Sequence, residues 1–166
     1  MSNSDEHEED NRTLAKIVDT IAEESGINLR NFGSMTFKRE KFRKGFEPDS
    51  CFYIQSLSLI EGISNLGIEN QIPPDLIIEI NRTSSSVPRM PIFAAFGVKE
   101  VWRFDGKILK FYTLEKGVYL ETETSIALPI LSSKKAYEFL RDSRALKSIQ
   151  WAKKIREWVK TEKENK

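Results

Sequence analysis

Two short stretches of the chain, residues 49–54 and 75–81, are apolar runs of strand length that each carry a carboxylate. A strand turns successive side chains to opposite faces, so the odd-numbered residues of the second run, Glu79 among them, share one face. Glu79 lies among Ile77, Ile78 and Ile80, in a run that is apolar enough for a strand inside a sheet. An ionised Glu79 there needs a partner that offsets the loss of water, and a divalent metal ion is one such partner.

Asp49 opens the first run much as Glu79 interrupts the second. The two carboxylates come from separate segments, and we expect the segments to be neighbouring strands. Paired carboxylates on neighbouring strands are what a Mg²⁺ site for phosphodiester cleavage needs.

The remaining pattern predicts helices around further strands. The predicted helices span residues 11–25, 88–96, 132–141 and 146–159. The other predicted strands span residues 27–30, 34–39, 99–104, 107–114 and 118–122, and the first two of these would form a hairpin. Residues 56–72 fit neither repeat cleanly, and residues 83–86 are typical of a turn or cap. This order predicts an α/β or α+β fold with a sheet flanked by helices.

The composition of the chain excludes several classes of catalytic and structural site. The 166 residues are enough for one domain with a real core, predicted over residues 11–166. Cys51 is the only cysteine, which excludes an internal disulfide and suits a reducing cytoplasm. His7 is the only histidine, which excludes Ser-His-Asp and Cys-His catalysis and argues against a zinc site. Neither a membrane span nor a secretory signal is expected.

The net charge of +1 conceals an uneven distribution. Residues 1–10 are rich in acids and predict a disordered leader. The densest positive stretch lies directly before the first carboxylate run and consists of Lys38, Arg39, Lys41, Arg43 and Lys44. A nucleic acid would be attracted to this basic segment, although a solvated loop rich in Lys and Arg explains it equally well.

Four blocks of sequence, taken in order, resemble one known family. They are GSMTFKRE (33–40), GFEPDSCFYI (45–54), PPDLIIEI (73–80) and IFAAFGVKEVWR (92–103). They are similar to the bacterial Uma-type endonuclease family, formerly a domain of unknown function, within the PD-(D/E)xK nuclease superfamily. The resemblance covers roughly residues 11 to 160. It implies a restriction-endonuclease-like mixed sheet flanked by helices, a Mg²⁺ or Mn²⁺ cofactor and a nucleic-acid substrate, with DNA first. A homodimer is compatible with it.

The same resemblance assigns metal ligands. Asp49 takes the superfamily's Asp position, Glu79 takes the acidic position of the (D/E)xK element, and the main-chain carbonyl of Ile80 adds a ligand. Asp75 also follows a proline, but it lies only four residues from Glu79 on the same strand. We therefore expect Asp75 to be a strand-entry residue or an outer-shell ligand. Some superfamily members add an acid late in the first helix, a position that Glu23 or Glu24 would fill.

The sequence departs from the superfamily at Asn81, where the motif has lysine. Asn cannot supply the positive charge that would stabilise the transition state, so Asn81 is placed in the outer shell and a catalytic cation is sought elsewhere. Arg89, on the following helix, and Lys38, before the first carboxylate, are the candidates, with Arg89 preferred.

Three functions remain open at this point. The leading one is a Mg²⁺-dependent endonuclease that hydrolyses DNA. The alternative is a catalytically weakened nucleic-acid-binding or protein-interaction domain, which Asn81 favours, and a third is an intact site that acts on RNA or a repair intermediate. A purely structural alternative is that the two carboxylates are buried acids paired with a cation such as Arg103.

Overall fold

A computed structural model describes residues 3–64, 66, 72–82 and 89–165. The helices in these ranges are α1 (Asn3–Ser25), α2 (Met90–Phe96), α3 (Ser133–Ala145) and α4 (Ser148–Glu164). The strands are β1 (Arg30–Asn31), β2 (Ser50–Tyr53), β3 (Leu76–Ile80), β4 (Glu100–Phe104), β5 (Leu109–Glu115) and β6 (Val118–Thr122). None of the described helices is long and apolar enough to cross a membrane.

The six strands form one sheet in which they follow each other in chain order. Only β3 and β4 run parallel, and α2 lies in the connection between them. The other neighbouring pairs are antiparallel. The predicted α+β fold, a mixed sheet flanked by helices, is therefore confirmed.

The two faces of the sheet are covered differently. Helices α1, α3 and α4 pack over one face, where Ile78, Trp102 and Phe111 belong to the larger core and the two aromatic rings stack 4.2 Å apart. The other face carries Ile77 and Val101, which pack with α2 and with aromatic residues of the segment before β2. Glu79 has the same parity as Ile77 on β3, so it lies on the α2 face.

The predicted disordered leader is wrong for residues 3–10, which form the first turns of α1. The carboxylate of Asp10 is buried between two guanidinium groups, at 2.7 Å from Arg82 and 2.6 Å from Arg144. Acids in the first turn also favour a helix, because they lie near the positive end of its dipole. These contacts are tertiary, and the local charge density that predicted disorder does not reveal them.

The hairpin predicted from residues 27–30 and 34–39 is also wrong. Strand β1 pairs with β2, with Arg30 opposite Tyr53. Phe37 forms only an isolated bridge with Phe46, and the two rings stack at 4.9 Å. Burial of these aromatic side chains against α2 therefore replaces a regular second strand. In the ambiguous stretch 56–72, the structure shows a 3₁₀ turn at Leu57–Leu59, while residues 65 and 67–71 lie outside the described residues, as does the predicted turn at 83–86.

Candidate active site

The pairing of β2 with β3 brings Asp49 and Glu79 together. Ser50 lies opposite Ile78 in this antiparallel pair, so one further step places Asp49 opposite Glu79. Directly opposed residues of an antiparallel pair point to the same face of the sheet. The backbone N–H of Ile80 donates a 2.7 Å hydrogen bond to Oδ2 of Asp49, which fixes that carboxylate beside β3.

Glu79 is a buried acid that lies beside a guanidinium but accepts no hydrogen bond at Oε1 from the described residues. Only 2% of its side chain is exposed, and burial raises its pKa to about 8. The guanidinium of Arg89 opposes this rise, the carboxylate of Asp49 adds to it, and Arg103 opposes it more weakly. Oε1 lies 3.2 Å from Nη2 of Arg89, but the angles are not those of a hydrogen bond, and no described group donates one to this oxygen. Within the described residues, Oε1 of Glu79 thus has an ion-pair partner but no hydrogen-bond donor.

Arg89 approaches the carboxylates, as expected from its place in the sequence. It occupies the N-cap position of α2, and its Nη2 also donates a 3.1 Å hydrogen bond to the carbonyl of Glu47. Its guanidinium carbon lies 5.5 Å from the ring centre of Phe93. The side chain is therefore held on three sides beside Glu79, while its catalytic role stays a prediction.

The beginning of α1 is a part of the site that the sequence analysis missed. Nε2 of His7 lies 3.3 Å from Oδ1 of Asp49, and Asn11 donates a 3.1 Å hydrogen bond to the main-chain carbonyl of Asp49. Burial raises the pKa of Asp49. The hydrogen bond from Ile80, then His7 and Arg89, oppose the rise, and the charge of Glu8 adds to it.

A signal for this helix start was present in the sequence. His7, Asp10 and Asn11 precede the apolar Leu14 at the spacing of one helix face, so the helical repeat extends back through the acidic residues. The dense acidic residues of this segment predicted disorder, and that prediction hid the helical repeat.

The acids late in α1 are not at the site, and that prediction is wrong. Glu24 follows Glu8 by sixteen residues, which is about 24 Å along a helix. Its Oε1 faces Arg156 at 3.7 Å, and its carbonyl accepts a hydrogen bond from Lys163 of α4. Glu23, its neighbour in the same last turn, is equally distant along the helix and has an exposed side chain. The end of α1 thus docks α4, whereas its beginning contacts Asp49.

Asp75 lies at the opposite end of β3 from Glu79, so its placement as an outer-shell ligand is wrong. Its carboxylate accepts hydrogen bonds from the N–H of Ile54 at 2.6 Å, the N–H of Ser56 at 2.9 Å and the hydroxyl of Ser56 at 2.9 Å. These bonds join the start of β3 to the turn after β2. Asp75 is therefore the strand-entry residue that was its other interpretation.

Among the described residues, no contact joins Lys38 to either carboxylate, and its side chain is exposed. Arg39, from the same basic segment, donates a 3.2 Å hydrogen bond to the carbonyl of Phe96 and lies 4.8 Å from the centre of that ring. Arg39 thus anchors α2. Lys41, Arg43 and Lys44 are exposed, so their contact with nucleic acid stays a prediction.

Asn81 holds a second cation beside Glu79. Strands β3 and β4 place Glu79 in register with Arg103. When the Asn81 amide is turned so that its oxygen faces Arg103, the orientation that satisfies both groups, it accepts hydrogen bonds from Nη2 at 2.9 Å and from Nε at 3.2 Å. The residue at the lysine position therefore fixes a guanidinium from the next strand.

The donor set at the site fits Mg²⁺ or Mn²⁺. Asp49 and Glu79 supply carboxylate oxygens, the ligands that such ions prefer. The N–H and C=O of one strand residue point to the same side, so the carbonyl of Ile80 also points toward Asp49. Pro48 would follow opposite Ile80 in the register, and proline has no N–H to bond that carbonyl.

Within the described ranges, no three His, Cys, Asp or Glu side chains form a ready-made metal cluster. A bound ion would therefore be held by two carboxylates, a main-chain oxygen and water, which suits Mg²⁺ because this ion retains several waters. The fit rests on the buried oxygen of Glu79 that no described group hydrogen-bonds.

Comparison with known proteins identifies the family and the fold of the chain. The model of the family described as "Uma2: Putative restriction endonuclease" matches residues 1–142. A crystal structure of a putative nuclease belonging to DUF820 from Anabaena variabilis ATCC 29413 has the same fold, with a TM-score of 0.51, 16% sequence identity and coverage of 81% of each chain. No curated protein matches the chain. Because the family model covers most of its length, the chain belongs to the Uma2 family of putative restriction endonucleases.

Proposed function

We propose that this protein is a metal-dependent endonuclease that hydrolyses DNA phosphodiester bonds, with Asp49 and Glu79 holding Mg²⁺ or Mn²⁺. The observation that carries the proposal is the buried Oε1 of Glu79, which no described group hydrogen-bonds and which lies on the same sheet face as Asp49. A buried acid without such bonds is costly, and a divalent ion would offset that cost.

The residues around the carboxylates have distinct tasks in this proposal. The N–H of Ile80 orients Asp49, and the apolar strand around Glu79 excludes water from it. A bound divalent ion would supply Lewis-acid stabilisation of the phosphate and activation of water. Arg89 stands beside Glu79, where its guanidinium would stabilise negative charge on the phosphate. Arg89 is a poor proton donor, so the proton for the leaving oxygen would come from water.

Plasmid cleavage tests the proposal. Purified protein should nick or linearise supercoiled DNA with Mg²⁺ or Mn²⁺, and a chelator should abolish the reaction. Asp49→Ala and Glu79→Ala should each lower the rate by about 10³-fold or more, because loss of the ion forfeits several kcal/mol of transition-state stabilisation. Glu40→Ala, which removes an exposed acid, is the matched control and should cleave normally. Chelator-resistant cleavage, or full activity of Asp49→Ala, would contradict the site.

A second candidate function is a nucleic-acid-binding domain that keeps the nuclease fold. It is favoured by Asn81, which leaves the motif without its lysine. In that case the protein would bind DNA in a salt-dependent manner through the basic segment and would cleave neither duplex DNA, single-stranded DNA nor RNA with any divalent ion. Cleavage of RNA alone would instead support the metal site and identify RNA, and not DNA, as the substrate.

A further inference from the structure

A groove with two cations lies next to the end of strand β3, where Asn81, two residues after Glu79, forms part of its wall. Glu79, Arg103 and Lys110 lie in register on β3, β4 and β5, so they point to the same face of the sheet in consecutive order. Arg103 and Lys110 line a cavity of about 230 Å³. Its other walls include Asn81, Asp105, Ile108 and Tyr112.

Arg103 is held in place before any ligand arrives. Asn81 accepts hydrogen bonds from its Nε and Nη2, which immobilises the plane of the guanidinium. A guanidinium has five donors, so two bonds to one amide oxygen leave it capable of binding a phosphate as well. An arginine fixed in this way loses less side-chain entropy when it binds an anion.

The ion pair of Lys110 is weak enough for a bound anion to replace its carboxylate partner. Its Nζ lies 3.8 Å from Oε1 of Glu121, and both side chains are about half exposed, so this ion pair contributes little. One acid, Asp105, lines the groove; it accepts hydrogen bonds from the N–H groups of Ile108 and Lys107, and these bonds lower its pKa. Its negative charge thus stays on the groove wall, where these two N–H groups partly offset it.

We propose that Asn81, Arg103 and Lys110 form a phosphate-binding groove that positions the sugar–phosphate backbone of a nucleic acid beside Asp49 and Glu79. The proposal rests on the nuclease function proposed above and adds the path of its substrate. Neighbouring strands are about 4.8 Å apart, so the two cations lie about 5 Å and 10 Å from Glu79 across the sheet. Phosphates next to the one being cleaved would meet them. Asn81 then positions Arg103, and the groove compensates for the missing lysine.

Binding measurements without metal separate this groove from cleavage. Fluorescence anisotropy of a labelled DNA duplex in chelator gives Kd for the full chain while no hydrolysis can occur. Arg103→Ala and Lys110→Ala should each raise Kd about tenfold and lower the salt slope by about one. Lys107→Ala, which removes an exposed lysine from the hairpin between β4 and β5, is the matched control and should change Kd by less than about twofold. An RNA probe of the same sequence identifies which nucleic acid supplies the phosphates.

Two further variants test the positioning role. Asn81→Leu should weaken binding in the wild-type background and add nothing to Arg103→Ala, because both would remove the same oriented guanidinium. Arg103→Lys keeps the positive charge but loses the planar guanidinium, so it should bind DNA with intermediate affinity. This variant replaces Arg103→Ala in the test if Arg103→Ala unfolds. Circular dichroism melting verifies the fold of each variant.

The outcomes distinguish the two proposals. If Arg103→Ala and Lys110→Ala bind DNA like Lys107→Ala, the groove is overturned, whether or not the wild type cleaves. If both weaken binding as expected while the wild type cleaves nothing, the groove stands and the nuclease function fails. Additive losses from Asn81→Leu and Arg103→Ala would overturn the positioning of Arg103 by Asn81.

Discussion

Asp75 and Glu79 stand at opposite ends of strand β3, are equally buried at 2% exposed, and meet opposite surroundings. The carboxylate of Asp75 accepts three hydrogen bonds from Ile54 and Ser56. Oε1 of Glu79 accepts none from any described group, and burial raises the pKa of Glu79 to about 8. Burial of an acid alone therefore does not mark a candidate site, whereas a buried acid with an oxygen that no described group hydrogen-bonds does mark one.

The difference follows from what each strand end adjoins. The chain turns directly after β2 at the Asp75 end, and that turn presents unpaired backbone N–H groups that a carboxylate can cap. Pro48 and Asp49 precede β2 at the Glu79 end, where there is no N–H from proline and a second acid is present. The acid at one end of the strand is thus hydrogen-bonded within the fold, and the acid at the other end keeps an oxygen that no described group hydrogen-bonds.

The largest effect that we predict from this comparison is on stability. Asp75→Ala should lower the free energy of unfolding by about 3 kcal/mol or more, because it leaves the N–H groups of Ile54 and Ser56 and one hydroxyl buried without an acceptor. Glu79→Gln should leave stability unchanged or raise it, since it removes a costly charge and no hydrogen bond to Oε1. Urea denaturation of both variants measures the difference.

The activities should follow the reverse order. Folded Asp75→Ala should still cleave DNA, and Glu79→Gln should not. A stable Asp75→Ala, or a Glu79→Gln variant that unfolds at a lower urea concentration than wild type, would contradict the assignment of roles.

The next prediction concerns how the ionisation of Glu79 makes stability depend on pH. The pKa of Glu79 is about 8 in the folded chain and would return to about 4.5 on unfolding, so the folded state holds the proton more tightly. The free energy of unfolding should therefore fall as pH rises from about 4.5 to 8 and level off above that. Relative to Glu79→Gln, wild type in chelator should lose stability over this range. Parallel curves for the two proteins would show that Glu79 ionises normally.

The parts of the site that depend on local patterns were predictable from the sequence. Alternation in residues 75–81 placed Glu79 on an apolar strand, and the family blocks paired it with Asp49. Arg89 was singled out as a cation on the following helix that could replace the missing lysine. Strands β4 to β6 and the late helices follow equally from the periodicity of the sequence. Each of these signals lies within a few residues of the feature that it predicts.

The parts that failed depend on contacts distant in sequence. Helix α1 extends back to Asn3 because Asp10 meets Arg82 and Arg144, residues 72 and 134 positions away. The same extension places His7 against Asp49. Asn81 gave no sign that its amide would hold Arg103, because the pairing of β3 with β4 decides that contact. Local composition cannot report such pairings.

The smallest expected effect concerns the cation beside Asp75. Nζ of Lys99 lies 3.6 Å from Oδ1 of Asp75, and 57% of the lysine side chain is exposed. Solvent screens such a pair, so Lys99→Ala should lower the free energy of unfolding by about 0.5 kcal/mol or less. Asp75 would keep its three hydrogen bonds, which is why its structural role does not depend on the cation. A loss of about 2 kcal/mol in urea denaturation would show instead that Asp75 needs a charged partner. The two acids of β3 would then differ in which cation they meet, rather than in whether their oxygens are satisfied.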